Sequence, residues 1–308
     1  MNLRRQASSV ASYVMLNNMR IAVTGASGFI GTELLDELNK QSGVEIVGLT
    51  RGSVPVENTA NVIWKTTDYS RQSLVVALEG ADAVIHLAAV RGTTTNREDY
   101  IINETMTESV LQAMSDCKVG RIVFASTISV YDDVDTIPWK EDYPLSPRTM
   151  YGDSKIACEK LIGKYAGTHG FDYSIVRIAQ VLGLGEKRRG MMNVFLDTAA
   201  AGGEITVIGK SEAKRQYIYV KDLVKIISKL AMQQPGNSQI LNVGMPNAYT
   251  NLEIAQIVNK VYGNATAINY DDSKAETIKA SCMSIDKLRS ELDYEPLDME
   301  EAIRQIKA

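Results

Sequence analysis

Cysteine and histidine are scarce in this chain, three and two in 308 residues. Cys117, Cys158 and Cys282 are scattered with no CxxC pair, so neither a disulfide framework nor a zinc site is indicated. His86 and His169 leave little scope for a histidine-built centre, and no metal is expected. A reducing cytoplasm fits this usage. No run is long and apolar enough to span a bilayer, so no membrane insertion is expected. Positive charge is not in excess: 33 Lys and Arg face 37 Asp and Glu, which argues against a nucleic-acid surface. Internal repeats and low-complexity tracts are also missing. Residues 1–18 carry Arg4 and Arg5 but no clean apolar segment of the signal-peptide kind, and are expected to be a flexible extension.

What is present is ordinary for a soluble globular protein: 45% apolar and 23% charged residues, long enough for one large domain or two modest ones. The organising stretch is Met19 to Gly31, MRIAVTGASGFIG. It reads as a buried strand over 20–24, a glycine turn, then a helix with an inner stripe at Ile30, Leu34, Leu35 and Leu38. Gly25, Gly28 and Gly31 recur every three residues. Glycine tolerates positive φ and lets a phosphate approach the backbone, and amides at a helix start face an anion. The simplest reading is a pyrophosphate cradle for a dinucleotide.

Apolar β-branched runs continue the pattern at 44–49, 62–64, 83–86, 121–125 and 173–177, with helical spacing over 103–117 and from Tyr151. Strands alternating with helices imply a parallel sheet covered on both faces. Beyond about residue 180 the rhythm breaks. Lys187, Arg188 and Arg189 form a basic cluster, read as a solvated loop. Short strands are predicted at 205–208 and 216–220, and helices at 222–232, 252–261 and 299–306. The expected fold is α/β, a Rossmann-type doubly wound parallel sheet over 19–180. Residues 181–308 form mainly a smaller α/β substrate lobe, with some segments returning to the main sheet.

The tip of the second strand reads Thr50-Arg51. An acid there would bind ribose hydroxyls, whereas an arginine attracts a 2′-phosphate, so NADP is favoured, with NAD as the alternative. His86 reads as a packed strand-end residue rather than a base. Tyr151 and Lys155 are four apart and share a helix face. An ammonium near a phenol lowers its pKa, and such a tyrosine exchanges a proton with a substrate oxygen. Thr127, at the end of the preceding strand, is placed to hold the same oxygen.

These pieces together resemble the extended short-chain dehydrogenase/reductases, the NAD-dependent epimerase/dehydratase family. The matching stretches are TGASGFIG at 24–31, DY at 68–69, HLAA at 86–89, Asn103, ASTISVY at 125–131, YGDSK at 151–155, VRIAQVLG at 176–183 and RQYIYVKDL at 215–223. The resemblance implies that Gly25, Gly28, Phe29, Ile30 and Gly31 hold the pyrophosphate. Asp68 and Tyr69 would meet the adenine, and Leu87, Ala88 and Ala89 would line the dinucleotide. Thr127, Tyr151 and Lys155 would be the catalytic set, with Asn103 supporting it and Lys155 also on the nicotinamide ribose. Arg91, Thr127, Gln180 and Arg215 would contact the substrate, a nucleoside-diphosphate sugar, with Arg215 on its diphosphate. A homodimer through the helices carrying Asn103 and Tyr151 is also implied.

Departures from the family narrow the reaction. The 4,6-dehydratases carry an Asp-Glu pair after the catalytic threonine, where this chain has Ile128 and Ser129. The 3,5-epimerase/reductases need a cysteine that the serine-threonine loop lacks. The remaining options are a 4-keto-sugar reductase, favoured with NADPH, and a 4-epimerase that retains NAD. A non-catalytic dinucleotide sensor and an oxidoreductase for a small alcohol or isoprenoid-type aldehyde are the more distant alternatives. Over 275–281 only Lys279 is cationic, where the family often has a second diphosphate-binding arginine.

Overall fold

The computed structural model describes residues 19–54, 61–92, 94–132, 136–186, 190–209, 211–271, 273 and 279–308. The extension 1–18, the Lys187–Arg189 cluster and most of 275–281 lie outside them.

The first half alternates as the sequence implies. Strands β1 (Met19–Thr24), β2 (Val44–Thr50), β3 (Val62–Thr66), β4 (Ala83–His86), β5 (Arg121–Thr127) and β6 (Asp172–Ile178) are separated by α1 (Phe29–Leu38), α2 (Arg71–Leu78), α3 (Glu98–Cys117) and α4 (Met150–His169). The second half contains β7 (Gln180–Leu182), α5 (Met191–Ala200), β8 (Thr206–Ile208), β9 (Arg215–Tyr219), α6 (Val220–Ala231) and β10 (Gln239–Val243). It continues with β11 (Ala248–Tyr249), α7 (Asn251–Tyr262), β12 (Asn269–Asp271), α8 (Asp286–Leu292) and α9 (Met299–Lys307).

Seven strands form one parallel sheet in the order β10-β6-β5-β4-β1-β2-β3. The order reverses between β1 and β4, and ligands of open α/β sheets bind at such a switch point, beyond the strands' carboxyl ends. Both faces are buried. Ile21 and Val23 of β1 pack into the core that α1 and α6 cover, while Ala22 between them joins the core under α2, α3 and α4. Each buried Leu or Ile contributes about 1.5–3 kcal/mol.

Helices α2 and α5 and strand β10 are absent from the sequence reading. Helix α2 is only eight residues, started by Ser70, whose side chain accepts from Ser73 N. Strand β10 is a short isolated apolar run, QILNV, yet it pairs along β6 and completes the main sheet. Helix α6 packs on α1, so two elements from beyond residue 180 belong structurally to the first half. Two small sheets, β11-β9-β7 and β12-β8, complete the second half.

Candidate active site

The glycine turn lies at the switch point. Gly25 has φ +71°, and a Cβ on it would approach Ala88 N to 2.9 Å. A Cβ on Gly31 would fall 2.3 Å from Gly25 O, so only glycine lets α1 start this close to β1. Gly28 is the N-cap of α1 and offers no side-chain acceptor to the first-turn amides. Those amides are left for an anion, with the helix dipole behind them. The cradle therefore fits a dinucleotide pyrophosphate. Ile30 reaches the adjoining cavity, whereas Phe29 packs beside Gly183.

Thr24 fixes the neighbouring strand end. Its hydroxyl accepts from Ala88 N at 3.2 Å and lies 2.6 Å from His86 Nδ1. His86 Nε2 stands 3.2 Å from the Thr107 hydroxyl. Burial pulls the His86 pKa down to about 3, so the imidazole is neutral and packed, as the sequence suggests. At the tip of β2, Thr50 is buried and Arg51 is exposed, with its charge acting on the buried phenol of Tyr69. Asp68 is exposed and accepts from Ser70 N and the Ser73 hydroxyl, which hold its carboxyl down to about 2.

A cavity of about 660 Å³ opens from the strand ends toward the second half. Leu87, Ala89 and Arg91 line it from the loop after β4, Thr127 from β5, Tyr151 and Lys155 from α4, and Gln180 and Arg215 from β7 and β9. The structure thus gathers the expected catalytic set and all four expected substrate contacts on one cavity. Gly25, Gly28, Phe29, Gly31, Arg51, Asp68, Tyr69, Ala88 and Asn103 do not line it.

Asn103, expected to support the catalytic set, does not line the cavity. Its side chain accepts from Val90 N at 2.7 Å, donates to Val90 O at 3.0 Å and to the Ser154 hydroxyl at 3.2 Å. It clamps the loop that presents Arg91 and ties it to α4. The Lys155 ammonium donates to Ala125 O at 2.7 Å and stands 5.8 Å from the centre of the Tyr151 ring. Burial pushes the Tyr151 phenol up to about 12, opposed by the Arg91 guanidinium, and pulls Lys155 down to about 8. The charge set against that burial of the phenol is the Arg91 guanidinium.

Sequence reasoning missed a buried cluster beneath the β5 tip. The Arg177 guanidinium grips Glu159 with Nη2 to Oε2 at 2.8 Å and Nε to Oε1 at 3.2 Å. Glu159 also accepts from the Ser126 hydroxyl at 2.5 Å. Arg177 Nη1 donates to the Tyr131 hydroxyl and to Glu141 O, and Tyr131 donates to Asn242 at 3.0 Å. The available signal was Glu159 one helical turn past Lys155. Met191, Met192 and Asn193 of α5 and Ser281 also line the cavity without having been foreseen.

Arg215, which also lines the cavity, donates to Asn251 Oδ1 at 3.0 Å and lies over Tyr217. Among the described residues, no group of three or more His, Cys, Asp and Glu side chains is placed to hold a metal. Nor is any helix long and apolar enough to cross a membrane.

Comparison with known proteins matches residues 21–244 to the model of the NAD dependent epimerase/dehydratase family. The chain is 26% identical over 295 residues to an uncharacterized UDP-glucose epimerase, YtcB, of Bacillus subtilis, covering 90% of this chain and 93% of that protein. It is 28% identical to a dTDP-glucose 4,6-dehydratase of Streptomyces niveus, covering 90% and 88%. The crystal structure of UDP-N-acetylglucosamine 4-epimerase from Bacillus cereus superposes with a TM-score of 0.83 at 31% identity, over 94% of this chain and 95% of that one.

Proposed function

The chain belongs to the NAD dependent epimerase/dehydratase family, and on that premise we propose that it inverts C4 of a nucleoside-diphosphate sugar. The observation that carries this reading is the convergence of Thr127, Tyr151, Lys155 and Arg215 on one cavity. The epimerases among its relatives support it further.

Gly25, Gly28 and Gly31 would hold NAD, which would supply a reversible hydride acceptor. Tyr151, once ionised, takes the proton of the C4 hydroxyl and returns it after the sugar has turned. Thr127, buried beside it, holds the same oxygen through its hydroxyl. Arg91 is the charge that most favours ionisation of the Tyr151 phenol. Arg215 presents a guanidinium to the diphosphate, and Gln180 offers an amide to the sugar. Dehydration needs an acid and a base beside Thr127, and Ile128 and Ser129 supply neither, so the relationship to dehydratases does not extend to their reaction.

Incubation of the purified protein with UDP-glucose and with UDP-N-acetylglucosamine, followed by proton NMR, tests the reading. C4 epimers are expected, and Tyr151→Phe should slow their formation about 10³-fold. Extraction of the native protein should release NAD. One feature favours a second reading, a one-way 4-keto-sugar reductase using NADPH. Arg51 is exposed at the β2 tip, and no acid stands among residues 50–54. Exchangeable NADPH and no epimer would select it. Exposed Ile101 and Ile102 on α3 suit a homodimer, which light scattering decides.

A further inference from the structure

Three consecutive residues at the end of β5 are each held by a different group. Ala125 O accepts from Lys155. The Ser126 hydroxyl donates to Glu159. The Thr127 hydroxyl accepts from Ser129 N at 3.2 Å. Ser126 also pairs in register with Arg177 on β6, so the serine and the arginine lie side by side on one face of the sheet. Glu159 closes on both from α4, one turn beyond Lys155. Ser126, Glu159 and Arg177 are all under 8% exposed.

A buried ion pair of this kind is weak evidence for stability, because desolvating two charges offsets their attraction. Its geometry is strong evidence for fixing a position: a bidentate guanidinium sets the carboxylate's plane, and the remaining lone pair is aimed at one hydroxyl. We infer that Glu159 is a positioning residue for the reaction, holding through Ser126 and Arg177 the strand tip that carries Thr127 and the carbonyl to which Lys155 is tied. Helix α4 thereby grips β5 twice, one helical turn apart, and the second grip keeps Thr127 in register with Tyr151.

Glu159 also faces Lys155 electrically. The groups around that ammonium are Arg91 on the loop after β4, neutral His86 on β4, the Phe124 ring on β5, and Tyr151, Cys158 and Glu159 on α4. Burial and Arg91 disfavour its charge, while Glu159 and Cys158 favour it.

The inference concerns the centre of the reaction proposed above, and part of its test needs no substrate. In Ser126→Ala the link to Glu159 is cut while the ion pair stays intact. Its kcat should fall about ten-fold or more, with KM and melting temperature little changed. In Glu159→Gln the titration midpoint of Lys155, read by NMR of ¹³Cε-labelled lysine, should drop on the order of one pH unit. If Glu159→Gln does not fold, Ser126→Ala, which keeps both buried charges, decides the inference through its kcat alone. A wild-type kcat in Ser126→Ala overturns the inference, as does an unmoved Lys155 midpoint. Absence of turnover in the wild-type protein counts against the epimerase reading instead, and the NMR arm still decides the role of Glu159.

Discussion

Single residues at this site are constrained by space and by water more than by charge. Replacing Gly31 with alanine would set a methyl 2.3 Å from Gly25 O, so β1 and α1 would have to separate. Gly31→Ala is expected to lose bound dinucleotide and several degrees of melting temperature, checked by cofactor extraction and calorimetry. His86 gives a pH dependence of defined sign. Below about pH 6.5 the unfolded chain takes up a proton that the folded chain refuses until about pH 3. Stability therefore falls as pH drops through that window, by about 1.4 kcal/mol per pH unit from this group. Urea unfolding at pH 7 and pH 5 should differ by about 2 kcal/mol more in the wild type than in His86→Gln. Residue identities were the most legible layer of the sequence. The spaced glycines stand at the turn from β1 into α1, and Thr127, Tyr151 and Lys155 line one cavity. What stayed hidden at this scale was orientation: nothing in YGDSK tells that Lys155 binds a strand carbonyl, or that Asn103 holds a loop.

At the scale of elements, the site depends on where helix α4 begins. Thr149 caps it by accepting from Gly152 N at 3.1 Å. A Cβ on Gly152 would lie 2.6 Å from Ser129 O, in the 3₁₀ turn Ile128–Val130 that follows β5. Helix start and turn therefore touch through backbone alone. Gly152→Ala is expected to push Tyr151 away from Thr127 and lower kcat by at least about ten-fold while leaving dinucleotide content unchanged. Thr149→Ala, which removes only the cap, should cost about 1 kcal/mol in chemical denaturation. Strands and helices of the first half were readable because strands buried on both faces are near-continuous apolar runs. Helix α5 escaped because MMNVFLDTAA has neither a side-chain cap nor a long stripe. Strand β10 escaped because five residues carry little period.

Over the whole molecule, one shared core and a set of bonds around it tie the two halves. Asp222 at the start of α6 accepts from the Tyr294 hydroxyl at 2.7 Å and from Leu297 N at 2.9 Å. These bonds pin the segment between α8 and α9 against the helix that supports α1. Asp222→Ala leaves both donors without this acceptor, at a cost of about 1–3 kcal/mol each where they are buried. A lower urea midpoint is expected, still in a single transition, since α6 shares its core with β1. Two separate transitions would show that the halves unfold independently.

The same topology bears on how the chain is made. A ribosome that has released only the first two hundred residues presents β6 with its outer edge unpaired and α1 without the helix that covers it. An open parallel edge is a template for pairing with another chain. The nascent nucleotide-binding half is thus sticky until β10 emerges and closes the sheet. It cannot be excised at residue 180 as a self-sufficient module. A fragment ending there should accumulate as aggregate, whereas one that includes Val243 has every strand of the main sheet at hand.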